Sequence, residues 1–151
     1  MTNQNIPKKI LYWYDNNKRA LPWRKKVSKK KQEYFTLVSE FMLQQTQVKT
    51  VIPYFEKFIK EFPNLKSLAK SSDHKILKNW EGLGYYSRAR NLKKTAIKLL
   101  KDYKGELPED IETLKSLPGI GEYTSRSILA IAHNKPYIPM DGNVERILKR
   151  V

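Results

Sequence analysis

Apolar residues recur along the chain at intervals of three and four residues, which is the spacing of a helix that buries one face. Between residues 34 and 43 this spacing places Phe35, Val38, Phe41 and Met42 on one side. No stretch alternates apolar and polar residues in the strict pattern that predicts a half-buried strand. The pattern therefore predicts an all-α fold, and it shows no internal repeat.

Turn and capping residues divide these periodic stretches into separate helices. The expected helices cover residues 8–18, 34–43, about 47–62, 73–80, 86–103, 108–116, 122–132 and 141–151. Asp73 is expected to be the N-cap of the helix that it opens. The segment Arg24–Lys31 holds six cations in eight residues and is expected to be an exposed loop.

The length of 151 residues and the hydrophobic content of 40% fit one folded domain. The 30 basic and 15 acidic side chains give a net charge of +15, which indicates a polyanionic partner such as nucleic acid. Only seven of the 30 cations are Arg, and the other 23 are Lys, a residue that also serves solubility alone. Charge by itself therefore favours nucleic acid only modestly.

The same composition disfavours several kinds of site. Without cysteine the chain can form neither disulfides nor thiolate metal sites, and His74 and His133 lack ligand-like spacing. We therefore expect no metal site built from this chain. The first residues lack an apolar signal core and no stretch is long enough to span a bilayer, so we expect a cytoplasmic protein without a membrane partner.

The most informative segment is a helix, the turn Leu-Pro-Gly-Ile-Gly and a second helix, over about residues 111–132. Its two glycines permit backbone conformations that let the turn approach a ligand closely. Amides at the start of the second helix are free donors at the positive end of a dipole, which predicts a phosphate site that reads no base. An ordinary helical corner is the alternative, but the motif and the net charge together favour DNA. The expected DNA-binding residues of the turn are Leu117, Gly119, Ile120 and Gly121.

This turn resembles the helix-hairpin-helix of DNA repair glycosylases, and Asp141 follows it after twenty residues. An Asp that opens a helix is usually an N-cap. The hairpin followed by Asp at this distance is, however, the signature of the superfamily named for helix-hairpin-helix, Gly, Pro and Asp. The resemblance implies an all-helical fold with DNA bound across a cleft, and it makes Asp141 the catalytic carboxylate.

Three further segments resemble the MutY family of adenine DNA glycosylases. They are Leu21–Arg24, Ser39–Val48 and Trp80–Leu92, and with Asp141–Val144 they cover most of residues 10–150. Each segment taken singly fits core packing or solvated surface. Those explanations would have to hold independently at all four segments, so together they account for the pattern less well than membership of the family does.

The resemblance implies roles for individual side chains. Glu40 would be the acid that protonates adenine, Asp141 would stabilise the sugar cation, and Asn143 would help to position the reactants. Burial is expected to keep Glu40 protonated near neutral pH. Gln45 and Tyr85 would enter the gap left by a base turned out of the duplex. The residues expected to hold the adenine are Arg19, Leu21, Trp23 and Leu43.

Tyr123 stands where glycosylases that also cleave the DNA strand carry a nucleophilic Lys. A phenol with a reference pKa of about 10 is a poor nucleophile at neutral pH. We therefore assign Tyr123 to the catalytic site and expect base removal without strand cleavage.

The family normally continues to four cysteines that hold a [4Fe-4S] cluster, and then to a Nudix-like domain that helps to recognise 8-oxoguanine. Residues 1–151 hold no cluster ligand and are interpreted as one catalytic domain truncated before the iron–sulfur segment, without the Nudix-like domain. The N-terminal helix would then leave apolar surface exposed, and full activity is not expected from these residues alone. Ser125–Ser127 replaces a small Ala-Gly pair, which is interpreted as a change on the helix surface. The spacing from Trp23 to Glu40 is also longer than in the family.

The predicted function is that of a monofunctional adenine DNA glycosylase of base-excision repair. Its partner would be double-stranded DNA with adenine opposite 8-oxoguanine or guanine, bound by a monomer. Two alternatives stay open. One is a thymine glycosylase acting on G·T mismatches on the same fold, and the other is a non-catalytic DNA-binding module in which Asp141 only caps a helix.

Overall fold

The computed structural model describes residues 5–151, which form nine α-helices and a short 3₁₀ turn at Pro22–Arg24 and contain no strand. The helices are α1 (Ile6–Asn17), α2 (Lys29–Leu43), α3 (Val48–Glu61), α4 (Leu65–Lys70), α5 (Asp73–Trp80), α6 (Ser87–Asp102), α7 (Ile111–Lys115), α8 (Glu122–Ala132) and α9 (Gly142–Leu148). The predicted all-α fold is confirmed over this range. None of these helices is both long and apolar enough to cross a bilayer.

Helix α2 runs through the centre of the fold. Every residue from Glu33 to Met42 is buried, so this helix is covered on all sides rather than on one face. Helices α3, α6 and α8 pack around it, together with the 3₁₀ turn. Because this stretch of the helix has no solvent face, its polar side chains, among them Glu40, lie inside the protein.

The starts of α2 and α7 and the N-cap of α5 differ most from the prediction. Helix α7 begins at Ile111 and not at residue 108, because Asp110 is its N-cap. Helix α2 begins at Lys29 because Ser28 takes the extended backbone of an N-cap, so the predicted loop is wrong for its last three residues. Those three lysines are nevertheless exposed. Helix α5 is capped by Ser72, whose hydroxyl accepts a hydrogen bond from the Lys75 amide at 3.2 Å, and not by Asp73 as predicted.

Helix α4 is absent from the predicted helices because six residues are too few to show a periodic pattern. Local capping marks it instead. The amide of Ser67 donates to the Asn64 side chain at 2.9 Å, and the amide of Asn64 donates to the Ser67 hydroxyl at 3.2 Å. Helix α4 packs against α6, whose first turn faces the end of α2.

Helix α1 exposes most of its apolar side chains. None of its residues is buried, and its four most exposed large apolar side chains, Ile10, Leu11, Tyr12 and Trp13, are each more than half exposed. This agrees with the expected apolar surface on the N-terminal helix. The chain re-enters the core after α1 through Leu21 and Trp23.

Candidate nucleic-acid interface

The turn over residues 117–121 joins α7 to α8 and passes close to the central helix. Gly119 has a φ of +78°, in the left-handed region, and a Cβ atom there would lie 2.8 Å from Phe41 Cε1 and from Asn91 Cβ. Both the backbone angle and the space therefore require glycine at position 119. The close approach of the turn to α2 and α6 depends on this residue.

The other predicted residues of the turn behave differently. Gly121 has a φ of −98°, which any residue adopts. The prediction that this glycine takes a conformation reserved for glycine is therefore wrong. A Cβ atom at Gly121 would have no neighbour within 4 Å, which leaves open space beside the backbone. Leu117 and Ile120 are buried in the core, so a ligand at this turn would meet backbone rather than their side chains.

Side chains from two neighbouring helices hold the turn. Gln44, just after α2, donates from Nε2 to the carbonyl of Gly119 at 3.1 Å and to the hydroxyl of Thr124 at 3.3 Å. Thr95 of α6 donates from its hydroxyl to the carbonyl of Pro118 at 2.8 Å. These bonds make the turn, the end of α2 and α6 one connected unit.

The start of α8 combines free amides with a carboxylate. The first amides of a helix have no partner within it, and no side chain caps those that follow Gly121. Glu122 places a negative charge beside them. That carboxylate is paired with Lys115 at 2.9 Å and with Arg126 at 2.8 Å, which offsets its charge.

Glu40 lies on α2 next to Phe41, the residue that the turn approaches, and is only 8% exposed. Burial raises the pKa of its carboxyl group, because the charged form loses hydration. The Ser127 hydroxyl and the positive charge of Arg24 act in the opposite direction without cancelling the rise. The predicted burial of Glu40 is therefore confirmed, and it shifts the pKa in the predicted direction.

Tyr123 lies close enough to both predicted catalytic carboxylates for their charges to act on it. The residue lies in the first turn of α8 and is 46% exposed. Partial burial raises the pKa of its phenol, and the negative charges of Glu40 and Asp141 add to that rise. The structure thus brings Glu40, Tyr123 and Asp141 into one site, although they come from three separate segments.

Asp141 is the N-cap of α9. Its Oδ1 accepts a hydrogen bond from the Val144 amide at 2.8 Å, which is the ordinary role of an Asp before a helix. The residue is exposed, and the cap engages Oδ1, so Oδ2 is left for other contacts. Asn143 lies in the same turn and accepts a hydrogen bond from Arg146 at 2.7 Å.

Gln45 and Tyr85 share an unusual backbone. Their φ angles are +56° and +47°, in the left-handed region that residues with a side chain seldom adopt. Both side chains are exposed, and Tyr85 is 62% exposed. Strain of this kind is often found at functional sites, where the surrounding structure must hold it.

The four residues expected to bind adenine do not form one surface. Arg19 and Leu21 line an open groove that also contains Arg24 and residues 130–131 of α8. Trp23 is 3% exposed and its ring lies edge-on to Phe55, with the ring centroids 5.4 Å apart. Leu43 is half-buried against the core. The structure therefore brings only Arg19 and Leu21 together in this groove.

Three buried polar residues, Ser125, Ser127 and Arg88, are not assigned to the site from the sequence. Ser127 is 4% exposed beside Glu40, and Ser125 is fully buried, so the interpretation of this segment as helix surface is wrong. Small residues at these positions allow the close packing of α8 on α2. Arg88 is 6% exposed and donates hydrogen bonds to backbone carbonyls of two loops of the site. It stands among the apolar positions of α6, and this placement could have predicted its burial from the sequence.

No group of three or more His, Cys, Asp or Glu side chains is arranged to hold a metal ion in the part of the chain that the structure describes. The sequence also contains no cysteine. The residues present therefore do not fit an iron–sulfur cluster.

The family model described as HhH-GPD superfamily base excision DNA repair protein matches residues 38–151. An adenine DNA glycosylase of Rattus norvegicus is 45% identical over 147 residues, covering 94% of this chain and 28% of the relative. An adenine DNA glycosylase of Buchnera aphidicola subsp. Baizongia pistaciae is 46% identical over 151 residues, covering 99% of this chain and 42% of the relative. The chain thus spans less than half the length of these curated relatives.

Solved structures show the same architecture. A thermostable thymine-DNA glycosylase aligns with a TM-score of 0.82 at 27% identity, covering 93% of this chain and 64% of that one. An endonuclease III in a non-covalent complex with DNA aligns with a TM-score of 0.77 at 22% identity, covering 99% of this chain and 69% of that one. The second likeness concerns the fold alone.

Proposed function

The chain belongs to the HhH-GPD superfamily of base excision DNA repair proteins, and on that basis we propose that it forms the catalytic part of a monofunctional adenine DNA glycosylase. Its substrate would be double-stranded DNA with adenine opposite 8-oxoguanine or guanine. The relatives that bear the name adenine DNA glycosylase support this choice, because they are more similar in sequence than the thymine-DNA glycosylase is.

The observation that carries the proposal is the contrast between the two carboxylates near Tyr123. Glu40 is buried within α2, where its pKa is raised, whereas Asp141 is exposed at the start of α9. One site thus offers a carboxyl group that retains its proton more readily and a carboxylate that is open to solvent. Acid-assisted cleavage of a glycosidic bond needs both.

The reaction would begin when the adenine turns out of the duplex, because a stacked base cannot be reached. Gln45 and Tyr85 are exposed on adjacent loops and would fill the gap that the base leaves. Unstacking costs a few kcal/mol and is less costly at a mismatch, which favours the mispaired adenine.

Glu40 would then donate its proton to a ring nitrogen of adenine, since the neutral base is a better leaving group than its anion. The C1′–N9 bond breaks, and its electron pair leaves with the base. The sugar becomes a cation that the carboxylate of Asp141 would stabilise through Oδ2, with Asn143 helping to position it. Water adds to C1′ and gives a proton back to the carboxylate of Glu40, which completes the hydrolysis and restores the acid.

The identity of residue 123 decides between hydrolysis and strand cleavage in the proposed reaction, and Tyr123 favours hydrolysis. Its phenol has a raised pKa and stays protonated at neutral pH, so it does not supply a nucleophile. Strand cleavage through a Schiff base needs an amine at this place. Base removal without strand cleavage therefore follows from this residue.

DNA would be held by the backbone of the hairpin turn and by the first amides of α8, where the helix dipole favours a phosphate. The net charge of +15 would add non-specific attraction along the duplex. We further propose that the protein acts as a cytoplasmic monomer. A [4Fe-4S] cluster in the longer protein would have to be bound by residues other than those present here.

Base release from defined duplexes tests the proposed function. The intact protein would be incubated with duplexes holding A opposite 8-oxoguanine, A opposite G, T opposite G, and A opposite T as the control. Release of adenine from the first two duplexes alone supports the proposal. Release of thymine from the G·T duplex would favour the thymine glycosylase, and tight binding without release would favour a non-catalytic module.

A further inference from the structure

Arg88 lies in the first turn of α6 and is almost fully buried. It occupies the side of the helix that Leu92 and Leu99 bury in the core. Its partners are backbone carbonyls, one hydroxyl and two aromatic rings. A buried charge is costly without such partners, so their arrangement indicates what the residue does.

One arm of the guanidinium is bonded to the chain around Gln45. Nη1 donates to the carbonyl of Met42 at 2.7 Å, to the carbonyl of Gln44, and to the hydroxyl of Thr46 at 3.0 Å. Gln44 and Thr46 are the immediate neighbours of Gln45. The carbonyls at the end of α2 have no donor within the helix and lie at the negative end of its dipole, so they favour a cation.

The other arm is bonded to the chain around Tyr85. Nη2 donates to the carbonyls of Leu83 at 3.2 Å and Gly84 at 3.0 Å. Cζ of Arg88 lies 5.6 Å from the centroid of the Tyr85 ring, within the range of a cation–π contact. Tyr85 is therefore held through its ring and through the residue that precedes it.

We propose that Arg88 is a positioning residue that couples Gln45 and Tyr85, so that both side chains enter the duplex as one wedge. The inference rests on the proposed function, which assigns those two residues to the gap. Each has a left-handed backbone that a free loop would leave. A single planar group bonded on both sides keeps the two strained residues in fixed relative positions.

Only arginine can serve this role. Its planar fork directs separate N–H groups to the two loops at the same time, whereas the ammonium of lysine is a point charge on a flexible chain. Arg88→Lys therefore keeps the charge and removes the fork. Arg90 offers a matched control, because it lies on the same helix two residues away and is exposed.

The test measures base opening in the intact protein. A duplex with 2-aminopurine beside the mispaired adenine reports the opening as a rise in fluorescence during stopped-flow mixing. We expect Arg88→Lys to slow the rise at least tenfold and to slow adenine release equally, while the Kd for undamaged duplex stays within threefold of that of Arg90→Lys. Equal opening rates in Arg88→Lys and Arg90→Lys would overturn the inference.

A double-mutant cycle separates coupling from a general structural role. In the background of Gln45→Ala with Tyr85→Ala, Arg88→Lys should slow opening less than threefold, because the side chains that it positions are gone. A full tenfold effect in that background would contradict the proposal.

A second variant is available should Arg88→Lys unfold. Thr46→Val removes one acceptor beside Gln45 at smaller cost in stability and should slow opening two- to fivefold, with Thr50→Val as the control. An unchanged opening rate in Thr46→Val would then overturn the inference.

The wild-type protein distinguishes this inference from the proposed function. If the wild type opens a mispair but releases no adenine, the proposed function fails while the coupling can still be measured by fluorescence. If it releases adenine and Arg88→Lys matches Arg90→Lys, only the inference fails.

Discussion

The side-chain amide of Gln44 donates from Nε2 to the carbonyl oxygen of Gly119 over 3.1 Å, which joins the end of the central helix to the hairpin turn. The residue after Gln44 is the strained Gln45, and the residues after Gly119 lead into α8 with Tyr123. The turn proposed to hold a phosphate and the loop proposed to enter the duplex are therefore mechanically connected. A change in the turn is expected to reach both.

The two glycines of the turn are expected to respond differently to alanine. Gly119→Ala should lower the free energy of unfolding by about 2–4 kcal/mol, because it combines left-handed backbone with a close contact to Phe41. Gly121→Ala should change stability by less than about 0.5 kcal/mol. It should nevertheless weaken duplex binding, because the added methyl stands where a phosphate would approach. Urea unfolding and fluorescence anisotropy measure the two effects, and equal stabilities would contradict the account of Gly119.

Burial of Glu40 predicts a pH-dependent stability. Its pKa is raised in the folded state, so above the ordinary value of 4.5 the folded protein binds more protons than the unfolded chain. The stability that the protonated group contributes is present below that value and is lost as pH rises through the raised pKa. Glu40→Gln should therefore gain stability relative to the wild type as pH rises through this window, and differ little below it.

Thermal unfolding measured across roughly pH 4 to 8 tests this prediction. Glu56→Gln is the control, because Glu56 is an exposed carboxylate on α3. A constant difference between wild type and Glu40→Gln at all pH values would show that the carboxyl of Glu40 is not destabilised by burial.

These two glycines and Glu40 also show what could be predicted from the sequence. The motif spacing singled out the hairpin, Glu40 and Asp141, and in the fold both carboxylates act on the pKa of Tyr123 in the first turn of α8. It could not show that Gly119 alone needs the left-handed backbone, because that depends on how closely α2 and α6 approach the turn. The sequence pattern treated α2 as amphipathic, whereas packing on all sides buries every residue of it from Glu33 to Met42.

The role of Arg88 and the strained backbone at Gln45 and Tyr85 could not be predicted from the sequence, for a related reason. Arg88 meets carbonyls from residues more than forty positions away, and no local pattern reports such contacts. The burial of Ser125 and Ser127 likewise depends on the packing of α8 against α2.

Glu122 is expected to weaken DNA binding. Its carboxylate lies at the start of α8, where the proposed phosphate would bind, and it engages Lys115 and Arg126. Glu122→Gln should bind undamaged duplex about two- to fivefold more tightly at low salt, since it removes a negative charge and frees two cations. The slope of log affinity against log salt should steepen by about 0.9 for each additional phosphate that the freed cations neutralise.

Glu61→Gln is the matched control for that measurement. Glu61 is also paired with a lysine, but it lies at the end of α3 away from Gln45. An unchanged affinity for Glu122→Gln would argue against a phosphate at the start of α8, and a salt-independent affinity of the wild type would argue against the DNA interface as a whole.

Tyr123→Lys is expected to introduce weak lyase chemistry. An amine at this position can form a Schiff base with the sugar of abasic DNA, and borohydride would trap the adduct. Partial burial at this position favours the neutral amine, whereas the charges of Glu40 and Asp141 favour the protonated ammonium, so trapping should increase with pH as the amine loses its proton. Tyr123→Phe should form no adduct. Strong trapping by the wild type would contradict the assignment as a monofunctional enzyme.

Single-turnover adenine release from pre-bound A:8-oxoguanine duplex, compared among wild type, Glu40→Gln and Asp141→Asn, tests the central claim most directly. The two carboxylates differ in burial but both act on the pKa of Tyr123, and each is assigned its own part of the chemistry. Both variants should bind the duplex nearly normally. Each should lose activity equivalent to about 3–4 kcal/mol of transition-state stabilisation, a rate loss of roughly two to three orders of magnitude. Near-normal release by either folded variant would remove that residue from the mechanism.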